Sequence, residues 1–512
     1  MSEVPEGVNL PTLTRKPPRP TVTLTLTRDG ENGVEVLLGR RAESMRAFPG
    51  YWAFPGGGVS RTDHEGELYV QNSTAVSTAS IVAVVREMTE ELGVVPNGNM
   101  VSAIDVELRK RILKDKHAFV DALRAASIQL DTSLLRHISS RTTPPFGPVQ
   151  FENTFFHLHI GEQNFEPTTE HQTEFTALEW MTPAEMIQRW KRHEIRVAPP
   201  VVTLLMEVER TLNHFAGDMS KTAQDLQERQ PGRRSILFAH GVEVVPIKTA
   251  TLPPADHTNA YLVGDPQGDF VLIDPACHMR EEMELLAEAV DRHHGELVAI
   301  LFTHSHGDHI GDMDLLREAF DVPVWASEYT SKSVHCDRIL VDGERLQLGN
   351  QEWTVLMTPG HHPGHICLFS DAGLVAGDMV AGIGTILIPP ETGDMDIYIQ
   401  QLQRLKELKP HLMFPSHGPV IPLPDATFAY YIKHRMERHQ RVLDAVGAGL
   451  QTIPEISAKA YENTPNAHIG LAQDQTRAHL LSHERAGRVQ QTNNRWSIGC
   501  LLYTSPSPRD RS

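Results

Sequence analysis

Three imidazoles and a carboxylate crowd into six residues in the run Thr303-His304-Ser305-His306-Gly307-Asp308-His309, directly after the apolar segment Leu297 to Phe302. In an extended segment His304 and His306 project to the same side, and the following turn swings Asp308 and His309 toward a neighbouring position, so two adjacent cations are accommodated. Imidazole with carboxylate suits zinc; manganese or iron also fit a site without thiolate. The alternative is a histidine-rich loop arising by chance. Against it, further polar residues stand in turns and at the ends of apolar strands: the loop Thr358-Pro359-Gly360-His361-His362-Pro363-Gly364-His365, Asp378 after Leu374 to Gly377, and His417 after Phe414 to Ser416.

A second chemistry is written in Arg86-Glu87-Met88-Thr89-Glu90-Glu91-Leu92-Gly93. A helical pattern from about Thr78 to Leu92 stops at Gly93. It sets Glu87, Glu90 and Glu91 at i, i+3 and i+4, where divalent cations best relieve the repulsion of three carboxylates on one face. Magnesium or manganese fits such oxygen ligands. Glu90 or Glu91 is placed to accept a proton from metal-bound water, and Arg86 to hold one glutamate by a charge-assisted pair. An ordinary solvent-facing acidic helix is the alternative.

The elements that position these residues fall into two blocks. Thr21 to Thr27, a turn at Gly30 to Gly33, and Val34 to Leu38 read as a hairpin, followed by the glycine turn Phe54-Pro55-Gly56-Gly57-Gly58. Polar residues 216 to 234 suit a linker or a loosely packed helix. Beyond them, strands at Thr258 to Val263, Phe270 to Ile273, Leu297 to Phe302 and Val322 to Ala326 alternate with helical patterns at Met279 to His293 and Leu315 to Phe320, which argues for α/β layers. Loops over residues 327–345 and 381–400 are expected above the metals, with Gly384, Thr385 and Tyr398 in the second of them.

The chain has 512 residues, 47 Lys and Arg against 65 Asp and Glu, and a net charge of −18. That length implies several domains, and the acidic balance gives no global reason for nucleic-acid or membrane binding. Cys277, Cys336, Cys367 and Cys500 form no close-spaced pair, so a reducing cytoplasm is the expected compartment. An acidic, proline-rich start and the lack of a long apolar run predict a soluble, unsecreted protein.

The FPGGG turn and Arg-Glu-x-x-Glu-Glu-x-Gly, with Leu37-Leu38-Gly39-Arg40-Arg41 and Glu179-Trp180-Met181-Thr182-Pro183, resemble the Nudix hydrolases over roughly residues 20 to 205. The family places a glutamate eight residues before the motif arginine, where Thr78 stands, and its glycine-to-helix spacing is shorter by about a dozen residues. An insertion at Ser60 to Ser73 accounts for the spacing, and Glu65 or Glu67 is the candidate replacement. Members with such an insertion include coenzyme A diphosphatases, which makes that substrate class a candidate.

The distributed histidines and aspartates resemble the metallo-β-lactamase superfamily from about residue 240 to 440. Asp256-His257-Thr258-Asn259-Ala260-Tyr261-Leu262 and the helix after His417-Gly418-Pro419 look most like its β-lactamase-like 2 branch, related to glyoxalase II. Asp312 and His362 depart from its pattern. The resemblance implies one metal on His304, His306 and His365, a second on Asp308, His309 and His417, and Asp378 bridging them. It also implies Asp308 orienting the nucleophile, and Asp274 supporting the histidines from behind or merely capping a turn. Helices and a strand pair after Tyr430 resemble a small winged-helix tail.

The expected architecture is a multidomain α/β chain: a Nudix α/β/α sandwich (1–215), a linker (216–239), a metallo-β-lactamase αββα sandwich (240–440), a winged-helix-like tail (441–498) and non-native sequence (499–512). The expected function is hydrolysis of an ester, thioester or phosphoester by a hydroxide between two Zn2+, with Mn2+ or Fe as alternatives, and a further Mg2+- or Mn2+-dependent diphosphate hydrolase site. The alternative is an endoribonuclease on single-stranded RNA, with a basic groove near Arg435 and Arg438 and a non-catalytic Nudix-like module.

Overall fold

A computed structural model describes residues 16–45, 47–71, 77–131, 133–147, 149–229, 234–464 and 467–499. They form two compact units, one ending at Val245 and the other beginning at Pro246. The segment expected to be a linker contains the helix Met219–Glu228, N-capped by the Asp218 side chain. Residues 500–512, part of the segment set aside as non-native, lie outside the described residues, as does the end of the expected insertion from residue 72.

In the first unit, Arg19–Gly30 is the central strand of a mixed sheet. It runs parallel to Phe151–His159 and antiparallel to Gly33–Arg41, and the outer neighbours are Arg136–Thr142 and Phe175–Met181. Its sequence alternates Val22, Leu24 and Leu26 with Thr23, Thr25 and Thr27, and both sets are buried. That is the pattern of a strand covered on both faces. The Val22, Leu24 and Leu26 face packs with Ile81, Val82, Val85 and Met88. Val36 and Leu38 of the next strand belong to a separate cluster with Trp190, Val201 and Leu205. The helix Thr78–Glu87 therefore lies on the sheet, with every residue from Ala79 to Glu87 buried. It widens into a π-turn over Met88–Leu92 and stops at Gly93, which takes the left-handed conformation at φ 73°.

In the second unit, His257–Gly264, Asp269–Ile273, Glu296–Leu301, Val324–Ser327 and Arg338–Leu340 lie side by side in that order, parallel from Asp269–Ile273 onward. A second mixed sheet runs Arg345–Leu348, Gln351–Met357, Ile366–Ser370, Gly373–Gly377 and Met413–Pro415. The helices Met395–Glu407 and Pro424–Gly447 pack Tyr398, Leu402, Phe428 and Tyr431 against Leu356, Leu374 and Ala376 of that sheet. Tyr398 is consequently a core residue, its hydroxyl donating to the Met379 carbonyl at 2.8 Å, and not part of a loop as its position suggested. Asp394 ends the loop earlier by capping the helix through the amides of Asp396 and Ile397.

The chain closes with helices Ile453–Ala460 and Ile469–Arg485 and the hairpin Val489–Thr492 with Arg495–Ile498, around Val442, Val446, Ile456, Leu480, Val489 and Trp496. Arg435 and Arg438 are only 3% and 6% exposed. Arg435 donates to the Gln475 side chain and the Ile386 carbonyl, and Arg438 to the Ala460 carbonyl and Thr464. Neither arginine is available to line the basic groove expected around them, because their charges are used inside the fold. Among the described residues no helix is long and apolar enough to cross a membrane.

Candidate functional site

The buried strand Glu296–Leu301 delivers Thr303 and the histidine run to one end of the sheet. After His306 the chain makes a single turn, Gly307–Ile310, that presents Asp308 and His309. It can end there because Gly311, at φ 72°, lies where a Cβ would meet the Cys277 backbone at 2.4 Å. Gly377 ends the strand before Asp378 under the same constraint: a Cβ there would stand 2.4 Å from His365 Nε2.

Three groups of ligand atoms, each mutually within 4.8 Å, form among the described residues: His304, His306 and His361; His304, His309 and Asp378; and Asp308, His309 and His417. His306 Nδ1 lies 2.9 Å from His304 Nε2 and 3.1 Å from His361 Nε2. Asp378 Oδ2 lies 3.6 Å from both His309 Nε2 and His361 Nε2, and its Oδ1 is 3.5 Å from His417 Nε2. His417 Nε2 is 3.7 Å from Asp308 Oδ2. Asp378 thus faces both halves of the cluster. These separations bracket the roughly 3.3 Å edge of a tetrahedron built on metal–ligand bonds of about 2.0–2.1 Å.

Both oxygens of Asp308, both of Asp378 and His309 Nε2 are buried without a hydrogen-bond partner among the described residues. Unpaired buried charge is costly; five such atoms facing one another fit a pair of cations. The outward nitrogens of three of these histidines are engaged. His309 Nδ1 pairs with Asp274 Oδ2 at 2.9 Å, His361 Nδ1 donates to the Leu387 carbonyl at 2.7 Å, and His417 Nδ1 donates to the His257 carbonyl at 3.1 Å. These bonds favour the tautomer whose Nε2, turned into the cluster, can act as a ligand. Asp274 also accepts from the Thr303 amide and hydroxyl, and Asn259 holds the carbonyls of Pro415 and Gly418 on either side of His417.

Charge is divided sharply within the cluster. Burial opposes a charge on His309, yet Asp378, Asp274 and Asp308 raise its pKa well above the ordinary value. Burial likewise opposes the Asp378 carboxylate, and His417 and His309 overcome it and hold that group well below its usual range. Burial, with neighbouring imidazoles, pushes His304 far down. Neutral His304 and ionised Asp378 are in the protonation states that metal ligation requires, whereas His309 has to give up its proton before its Nε2 can act as a ligand.

His365 does not face this cluster. Its Nε2 accepts the Asp378 amide at 2.9 Å and its Nδ1 pairs with the Thr358 hydroxyl at 2.7 Å, so both ring nitrogens are consumed. His361 stands in the place expected of His365. The difference is positional: His365 directly precedes the strand Ile366–Ser370 and is drawn into the sheet edge, whereas His361 follows Gly360 in the loop before it. His362 packs edge-on against Tyr329 and bonds Ser305.

In the first unit, Glu87, Glu90 and Glu91 do not form a comparable ligand group. Arg86, fully buried, donates from Nη1 to Glu87 at 2.8 Å and Glu90 at 2.9 Å, and Glu91 Oε2 takes the Gly56 amide at 2.8 Å. The other oxygen, Glu91 Oε1, is buried without a hydrogen-bond partner among the described residues. Burial, then the charges of Glu87 and Glu174, raise the Glu91 pKa well above its ordinary value. Gly57 leaves room for this approach, since a Cβ there would lie 2.3 Å from Glu87 Oε1 and displace that carboxylate.

The carboxylate missing at Thr78 is supplied by Asp63, which grips Arg86 Nε at 2.8 Å and Nη2 at 3.0 Å. Glu65 and Glu67 do not fill the gap: they are on the surface, near His117 and His64 respectively. Counting forward from Gly57, instead of back from Arg86, would have found Asp63 six residues on.

The chain matches the metallo-beta-lactamase superfamily over residues 253–417 and the NUDIX domain over residues 17–200. It is 28% identical over 250 residues to a beta-lactamase-like protein 2 homolog of Drosophila melanogaster, covering 46% of this chain and 84% of that one. It is 32% identical over 219 residues to the lactamase-like protein vrtG of Penicillium aethiopicum, covering 41% and 69%. It is 28% identical over 218 residues to an atrochrysone carboxyl ACP thioesterase of Aspergillus chevalieri, again covering 41% and 69%. The buried histidine and aspartate groups and these matches define a hydrolase with a candidate binuclear metal site. The chain belongs to the metallo-beta-lactamase superfamily and carries a Nudix-like domain ahead of that region.

Proposed function

We propose that the second unit hydrolyses an ester or thioester whose acyl group is neutral and apolar. His304, His306 and His361 would hold one cation and Asp308, His309 and His417 the other, with Asp378 between them; zinc suits this donor set best. When bound, the cations supply Lewis-acid activation of water and of the carbonyl. Asp308, with both oxygens unpaired, is placed to orient the attacking water and hold its proton.

The observation that carries this reading is a small cleft with His417 in its wall, lined by Leu252, Pro254, Ile383, Ile386 and Leu387 together with the hydroxyl-bearing Thr251 and Thr385. No Asp, Glu, Lys or Arg lines it. A phosphodiester chain needs cationic side chains along its path, whereas an uncharged wall of mainly aliphatic residues suits a neutral acyl group. The relative named as an ACP thioesterase supports a thioester. The tail follows the order of a winged helix, which on this reading is a structural part of a cytoplasmic, αββα-type enzyme.

A second reading is carried by Glu91 Oε1, buried and unpartnered beside Glu87 and Glu174. In it the Nudix-like α/β/α unit is a Mg2+- or Mn2+-dependent diphosphate hydrolase, with coenzyme A derivatives as candidate substrates. Glu87, Glu90 and Glu91 would be the metal-binding groups, and Arg86 with Asp63 would hold them in place.

One panel tests both: acyl thioesters of rising chain length, S-lactoylglutathione, nucleoside diphosphate derivatives and single-stranded RNA, with metal content measured in parallel. His361→Ala is expected to abolish acyl turnover and lose bound metal, and Glu91→Gln to affect diphosphate cleavage alone. RNA turned over in preference to every acyl compound would refute the acyl reading.

A further inference from the structure

The family match ends at residue 417, yet the loop that walls the cleft is held from beyond it. Tyr431, in the helix Pro424–Gly447, accepts the Ala381 amide at 2.9 Å. Arg435 of the same helix donates to the Ile386 carbonyl and, at 2.9 Å, to Gln475 Oε1. Gln475, in the helix Ile469–Arg485, accepts the Ile388 amide at 3.3 Å and donates to the Ile388 carbonyl at 2.9 Å. A glutamine thereby pairs with a loop residue as a strand neighbour would. Gln475 is 7% exposed and Ile388 fully buried, so no solvent can replace these bonds.

Between the two anchored residues sits Leu387. Its carbonyl accepts from His361 Nδ1, and its side chain lines the cleft. One short segment, fastened at Ile386 and Ile388 by the C-terminal helices, therefore orients a candidate metal ligand and contributes Ile386 and Leu387 to the cleft wall. Further along, the same helix Ile469–Arg485 holds Asp396 through Ser482 and Asp394 through Arg485, and the Asp394 amide in turn donates to the Gly360 carbonyl.

We propose that Gln475 and Arg435 are positioning residues of the hydrolase site, acting through Leu387 on His361 and on acyl-group selection. The C-terminal helices then belong to the active site and are not an appended binding module. The acyl-selection half of this inference rests on the ester or thioester reading above; the metal half stands without it.

The test uses the full chain loaded with Zn2+, and Co2+ as a spectroscopic probe. Gln475→Leu keeps the volume and removes all three bonds. Gln475→Glu keeps the acceptor for Ile388 and Arg435 and loses only the donor. His479→Leu, in the same helix without a bond to the loop, controls for general loosening of the tail. Changing the partner of a metal-bound histidine typically weakens metal binding about 10–100-fold. Gln475→Leu is therefore expected to release one of two cations at about tenfold lower chelator concentration and to alter the Co2+ absorption bands. Gln475→Glu should fall between it and wild type, and His479→Leu should match wild type.

Across acyl thioesters, wild type is expected to gain about fourfold in kcat/KM per added methylene, and Gln475→Leu to flatten that slope. Wild-type chelator resistance, Co2+ spectrum and acyl slope in Gln475→Leu would overturn the proposal. If wild type cleaves no acyl compound, the substrate reading fails while metal retention still decides the positioning role. A wild-type chain that retains no cation would overturn both.

Discussion

Replacing Asp63 by alanine isolates the contribution of the carboxylate that grips Arg86. Both side chains are fully buried, and the substitution removes bonds of 2.8 and 3.0 Å to the guanidinium together with the Ser60 contacts. Removing one partner of a buried ion pair costs about 3–5 kcal/mol. Glu87 and Glu90 remain on Nη1 and keep part of the compensation, which lowers the expected cost to about 2–4 kcal/mol. For a unit of this size each kcal/mol moves the melting temperature by about 2–4 °C, giving a fall of about 4–16 °C. Calorimetry of the full chain measures it as a shift in the transition that does not respond to zinc chelation. Glu65→Ala and Glu67→Ala, which alter only exposed pairs, should each stay within about 0.5 kcal/mol of wild type. The assignment is refuted if Asp63→Ala melts with wild type while either surface variant falls by several degrees.

Metal removal and pH give two further expectations, both for the second unit. Stripping cations from a protein that held them at about 100 times the dissociation constant should cost about 2.7 kcal/mol and lower the second transition, measured by calorimetry with and without chelator; equal melting would deny a structural stake in the metal. In the tail, burial, then His483 and Arg488, push His439 down to about 4, and burial holds His479 well below its ordinary value. In the unfolded chain these groups titrate near about 6.5. Their contribution to stability is thus complete above about pH 6.5 and is lost as pH falls toward about 4, because the unfolded chain takes up protons that the folded one refuses. Denaturant titrations from pH 7.5 to 5 on metal-stripped protein should show a shallower loss in His479→Leu than in wild type, and parallel curves would rule this out.

Much of the scaffold was legible because its strands carry plain signals. Thr258 to Val263, Phe270 to Ile273 and Leu297 to Phe302 fall within one residue of observed strands, since each is an apolar run bounded by turn residues. Site residues were legible where a side chain follows a strand end, as Asp378 and His417 do. The choice between His361 and His365 was not: it depends on which ring is captured by Thr358 and the Asp378 amide, contacts made across the fold. The acidic helix shows a related limit. Spacing at i, i+3 and i+4 puts three carboxylates on one face, but it cannot reveal that Arg86 will be buried and will claim two of them. Nor could composition reveal that Arg435 and Arg438 turn inward, because an arginine on a helix reads as surface charge until its partners at Gln475 and Ala460 are known.

Asp63 and Arg86 meet across 23 positions, and nothing in their bond depends on how long the intervening chain is. Closing a flexible loop costs only about 0.6 kcal/mol more for each doubling of its length, less than a single buried charge-assisted hydrogen bond returns. Length can therefore accumulate between these two residues at little thermodynamic penalty, provided the chain leaves at the short helix and re-enters at Ser77. The acidic signature is then held together as a shape and not as a spacing, and sequence could be gained or lost between Asp63 and Arg86 without loosening the grip on Glu87 and Glu90.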